Sequence, residues 1–139
     1  MSIRPYLFFD GRCEEAILFY EQAAGAERLT LMRYDEAPDP VPPEMLPAIG
    51  GRAVLHAAIR IRGAELLMSD GGGCGAPLRG HEGFSLSLAA TDAGDARRLF
   101  DALSDGGEVQ TPLGPTFFSP AFGMLKDRFG VPWMVLVPG

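Results

Sequence analysis

Positive charge is scarce in this sequence: 12 Lys and Arg against 18 Asp and Glu over 139 residues leave a net charge of -6. No run of basic residues interrupts the acidic balance, which argues against a nucleic-acid partner. Cysteine is nearly absent too. Cys13 and Cys74 match neither a metal-ligand spacing nor a disulfide framework, and they read as reduced thiols. No apolar run approaches the length of a membrane span. The start, MSIRPYLFFDG, has too short an apolar stretch for a secretory signal and no small-residue cleavage site. These features together lead us to expect a soluble, cytoplasmic protein with no membrane partner.

What is present describes an ordinary globular chain, 47% hydrophobic and 22% charged. A single domain over residues 1–139 has enough length to bury a core without disulfide or metal staples. Pro5 to Phe9 reads as a strand ended by the turn pair Asp10-Gly11. In CEEAILFYEQAAG, residues Cys13, Ala16, Ile17, Tyr20 and Ala24 recur at helical spacing, with acids in the first turn and Gly25 at the stop. Strands are expected at 28–34, 54–61 and 65–69, the last two joined by Arg62-Gly63. Between them, 35–52 holds five of the twelve prolines and reads as a flap or crossing loop.

After the glycine cluster GGGCG, read as a linker, the same order returns. Phe84 to Ala90 alternates as a half-buried strand, and Thr91-Asp92 caps a helix with the apolar face Ala96, Leu99, Phe100 and Leu103, closed by Gly106-Gly107. Further strand signals fall at 108–110, at Phe117-Phe118 with 122–126, and at 132–137. The repeat extends to residues: RIRGAELLM matches DRFGVPWMV across Gly63 and Gly130. The expected fold class is α+β, two tandem βαβββ modules forming curved mixed sheets around a shared cavity. Module one covers about 3–70, a linker about 71–82 and module two about 83–137.

The stretches PYLFFDGRCEEAILFYEQAAGAE, VLHAAIRIRGAELLMSD, FSLSLAATD and FGMLKDRFGVPWMV resemble the PhnB-like branch of the vicinal oxygen chelate superfamily. That superfamily includes glyoxalases, bleomycin-resistance proteins and extradiol dioxygenases; the branch often carries the label demethylubiquinone methyltransferase. Nothing in the chain resembles the glycine-rich cofactor loop that a methyl donor needs. Metal-using relatives carry His or Gln, Glu, His and Glu on the first and last strands of their modules. Aligned on Phe19-Tyr20, those positions fall at about Arg4, Leu67, Ser85 and Met134. An Arg repels a cation and Leu and Met offer no oxygen, so neither a metal of the superfamily type nor another cofactor is expected. The resemblance also implies a homodimer.

Candidate site residues follow from both readings. His56 interrupts the apolar strand VLHAAIRI, and by alternation it shares a face with Ala58 and Arg60. It stands either as a general base, hydrogen-bond donor or replacement ligand, or as an imidazole satisfied by neighbouring strands. Tyr6, Met68, Asp70, Ser85, Phe118, Met124, Trp133 and Met134 are candidate ligand-binding residues, since aromatic and Met walls with a few polar groups describe a small-ligand pocket and an ordinary core alike. Asp70 also suits a turn start. His81, in a glycine-flanked loop, reads as a surface residue and Cys13 as a buried thiol. Three functions are expected to compete: a small-molecule protein with metal-independent acid–base chemistry through His56, a non-catalytic protein that sequesters an amphipathic compound at a dimer interface, and an assembly module whose apolar surfaces serve only dimerisation.

Overall fold

The computed structural model of the chain describes residues 3–38, 50–71 and 81–138. The centre of the proline-rich loop and most of the GGGCG run, Cys74 included, lie outside the described residues. Among the described residues the strands and α-helices follow in order: β1 (Tyr6–Phe8), α1 (Cys13–Ala24), β2 (Glu27–Arg33), β3 (Val54–Ile61), β4 (Ala64–Ser69), β5 (Leu86–Ala89), α2 (Ala93–Ser104), β6 (Glu108–Gly114), β7 (Phe122–Lys126) and β8 (Pro132–Leu136). The strand-helix-strand-strand-strand order occurs twice, and the class is α+β. The chain divides into two compact units, Met1–Arg79 and Gly80–Gly139.

In the first unit the sheet order is β1-β4-β3-β2, with β1 parallel to β4 and the other neighbours antiparallel. The β3–β4 hairpin turns on Arg62 and Gly63, both at positive φ (51° and 84°), as a two-residue loop of this hand demands. Helix α1 buries Cys13, Ala16, Ile17, Tyr20, Ala23 and Ala24, the face its spacing foretold, and ends on Gly25 in the left-handed conformation at φ 68°. Leu7, Ala57, Ile59, Leu66 and Met68 share one side of the sheet and are all 5% exposed or less. That side is the unit's core. The first residues of α1 have no local side-chain cap. Asp70, at the end of β4, caps them from a distance. Its Oδ1 accepts from the amides of Gly11 (2.7 Å) and Cys13 (2.8 Å), and Oδ2 from Val54 (2.9 Å).

The second unit repeats the plan as β5-β8-β7-β6, again with its first pair parallel. Helix α2 begins at Asp92, whose carboxylate accepts from the Asp95 amide at 2.8 Å, and it buries Ala96, Leu99, Phe100 and Leu103. Two expectations need correcting. Strand β6 runs on to Gly114 and contains Pro112, which an edge strand tolerates because no neighbour needs its missing N–H. Phe117-Phe118 is a bend rather than a strand, since the Thr116 hydroxyl draws in the amides of Phe118 (3.3 Å) and Ser119 (3.1 Å).

Candidate functional site

Strand alternation gives each sheet an open face opposite its helix-covered one. On the first sheet that face is organised in cross-strand rows set by the register. The first row is charged: Arg4 pairs with Glu65 at 2.8 Å, Glu65 approaches Arg60 at 3.9 Å, and Arg60 approaches Glu27 at 3.6 Å. The second row is Tyr6, Leu67, Ala58 and Thr30. Beyond it lie Phe8 with its partner Ser69, and His56 with its partner Met32. The face thus passes from ions, through apolar and aromatic side chains, to an imidazole.

Tyr6 crosses these rows. Its ring stacks on Phe8, with centroids 5.0 Å apart and planes 20° from parallel, and its hydroxyl lies 3.1 Å from His56 Nδ1. Burial pushes the Tyr6 phenol above its ordinary pKa, reinforced by the neighbouring Cys13 and opposed by a hydrogen bond with Ser69. A protonated phenol can donate to Nδ1 or accept from Nδ1–H, and the tautomer of the imidazole decides which. The Ser69 hydroxyl is itself held by the Leu55 carbonyl (2.7 Å) and the Gly71 amide (2.9 Å).

The other candidates separate from this pair. Met68 is fully buried on the core side, between its register partners Leu7 and Ala57. Asp70 is 3% exposed, and its carboxylate is engaged by the three amides described above. Cys13 is fully buried; burial and then the Asp70 charge raise its thiol well beyond the usual range, which leaves no thiolate for chemistry.

In the second unit, Trp133 lies on the core side beside Leu88, Leu125 and Val135, 3% exposed, and its indole N–H donates to Asp127 Oδ2 at 2.9 Å. Met124 and Met134 are register partners on the open face, with Ser87 and Thr111 in the same row. The Ser85 hydroxyl is buried and has no hydrogen-bond partner among the described residues. Phe118 belongs to an aromatic turn, edge-on to Phe117 and to Phe122 at 5.1 and 5.0 Å, and is half exposed. His81 is half-buried against the edge of Phe84.

A divalent metal does not fit the residues at the superfamily's ligand positions. Arg4 is committed to Glu65, Leu67 and Met134 supply no oxygen, and the register sets Tyr6 beside Leu67 and Ser87 beside Met134. Among the described residues, no group of three or more His, Cys, Asp and Glu converges.

Two four-stranded mixed sheets, each joined to one helix and each closed by a parallel outer pair, define a vicinal oxygen chelate fold. A likeness in fold alone extends to a glyoxylase/bleomycin resistance protein/dioxygenase domain from Frankia, 16% identical with a TM-score of 0.64 over 100% of this chain and 98% of that one. A family model described as 3-demethylubiquinone-9 3-methyltransferase matches residues 1–136, and the chain belongs to that family, the PhnB-like branch of the superfamily. Protein YjdN of Escherichia coli (strain K12) is 34% identical over 99% of this chain and 95% of its own. Protein PA1353 of Pseudomonas aeruginosa is 38% identical, covers 99% of this chain and 98% of its own, and superposes with a TM-score of 0.86. The PhnB protein of Bacillus cereus is 27% identical, covers 99% of both chains and has a TM-score of 0.79. No described helix is long and apolar enough to cross a membrane.

Proposed function

We propose that this protein binds a small, partly apolar organic molecule on the open face of its first sheet, with His56 as the group that acts on a ligand oxygen. The observation that carries the reading is the Tyr6–His56 hydrogen bond of 3.1 Å. In this reading the phenol donates to Nδ1, the imidazole carries its hydrogen on Nε2 for the ligand, and no protein group among the described residues holds that nitrogen. Tyr6, Phe8, Leu67 and Met32 supply the apolar ground for the ligand body.

The role proposed for His56 is the donor. A hydrogen bond from Nε2 to a carbonyl or enol oxygen stabilises negative charge that develops there. Taking a proton at Nε2 would require the other tautomer, in which Nδ1–H donates to the Tyr6 hydroxyl. Passing the Tyr6 proton through the ring would leave a phenolate that burial disfavours. The chemistry proposed is therefore polarisation of a ligand oxygen by the imidazole.

A thermal-shift screen of small oxo and hydroxy acids and ketones against wild type and His56→Ala tests the reading. Catalysis predicts a ligand that wild type converts and the variant binds but leaves unchanged. Binding that weakens in the variant with no turnover in either protein points to sequestration. Equal shifts in both proteins for every ligand would refute a role for His56.

A further inference from the structure

The second sheet repeats the rows of the first, and the two charged rows differ in charge at two positions, where a base and an acid are both lost. Superposing the modules by register sets Ser85, Pro132, Lys126 and Glu108 where the first unit has Arg4, Glu65, Arg60 and Glu27. In the first unit Glu65 sits between two guanidinium groups, and Glu27 completes a row of two bases and two acids. In the second, Pro132 takes the place of Glu65 and supplies no charge. Lys126, half-buried and the only lysine in the chain, forms no ion pair among the described residues, even though Glu108 stands opposite it on β6. Ser85 contributes the buried hydroxyl that lacks a partner. Two donors on one face therefore flank the buried Pro132 on β8, where the sister module holds a carboxylate.

We propose that these two donors bind the carboxylate of a small apolar monocarboxylic acid. One oxygen is held by the Lys126 ammonium and the other accepts from the Ser85 hydroxyl. A single cation and one hydroxyl match a monoanion better than a dianion, which calls for several donors. The ligand body is set by the adjoining rows: Met134 and Met124 with Ser87 and Thr111, then Leu136 and Phe122. Thioether and aromatic side chains suit an alkyl or aryl group. The site lies in the second unit and does not rest on the role given to His56.

The single lysine makes the test direct. Reductive methylation with 13C-formaldehyde keeps the charge and labels Lys126 and the N-terminal amine alone. Titration with benzoate or hexanoate is expected to shift the Lys126 signal saturably and leave the N-terminal signal in place, with inorganic phosphate and chloride giving weaker responses. Ser85→Ala is expected to weaken binding about tenfold. Pro132→Glu, which restores the acid of the first unit, is expected to abolish it. Lys126→Gln, followed with benzoate by calorimetry on the unlabelled protein, gives the same loss without altering β8. A Lys126 signal that moves equally with every anion, or benzoate affinity unchanged in Ser85→Ala and Lys126→Gln, would overturn the proposal.

Discussion

Asp70 Oδ1 accepts a hydrogen bond from the Cys13 amide at 2.8 Å, across 57 positions of sequence. The same carboxylate holds Gly11 and Val54, so one buried acid fastens the β1–α1 turn and the start of β3 to the end of β4. Removing it leaves three amides without their acceptor. Asp70→Ala is expected to lower the unfolding free energy by about 3 kcal/mol or more, read by urea denaturation. A loss below about 1 kcal/mol would show that water replaces the carboxylate.

Trp133 is a packing residue bonded to Asp127. Trp133→Phe keeps most of the buried ring and loses the 2.9 Å bond from the indole N–H. It is expected to cost about 1–3 kcal/mol of stability. Affinity for any ligand that responds to His56→Ala should stay unchanged, and a tenfold loss of that affinity would place the indole in the binding site.

Gly107 enters β6 where no side chain fits. An added Cβ would press on the Lys126 carbonyl and approach Asp127 backbone atoms at 2.7 and 2.9 Å, contacts that only backbone movement relieves. Gly107→Ala is expected to lower stability by about 1–3 kcal/mol, measured as a fall in melting temperature. Gly130→Ala, with nothing near its Cβ direction, tests conformational strain instead, because its φ is 81°.

Acid destabilisation should pass in part through Glu14. Its hydrogen bond to Arg33, then the charges of Arg33, Arg28 and Arg52, hold its carboxyl below the ordinary range, against a smaller contrary effect of burial. A depressed folded-state pKa stabilises above the unfolded value, about 4.3, and that contribution is lost as pH falls through the folded value. The pair is substantially exposed, so the effect is small. Glu14→Gln should flatten the acid limb of stability against pH below about 4.3 and leave the neutral range nearly unchanged. An unaltered limb would contradict this.

The elements were legible where periodicity was clean. The α1 and α2 faces, the β3–β4 hairpin with its Arg62-Gly63 turn and the modular repeat all follow from spacing and turn chemistry. Face assignments were legible only in part. The run PWMVLV is apolar throughout, so alternation could not say that Trp133 faces the core while Met134 faces outward. Alternation did place His56 with Ala58 and Arg60, but its Tyr6 partner lies 50 positions away and leaves no local trace. Asp70 has the look of a turn residue because its amide partners are distant in sequence. Ser85 and Lys126 gain meaning only once the register sets them beside Pro132.

The most direct test of the account is the tautomer of His56, read from imidazole 15N shifts at a pH where the ring is neutral. With Tyr6 donating to Nδ1, the signals should show a pyridine-type Nδ1 and a hydrogen-bearing Nε2, and Tyr6→Phe should remove this bias. A hydrogen on Nδ1 in the wild type, or the same tautomer mixture in both proteins, would contradict a Tyr6-oriented imidazole.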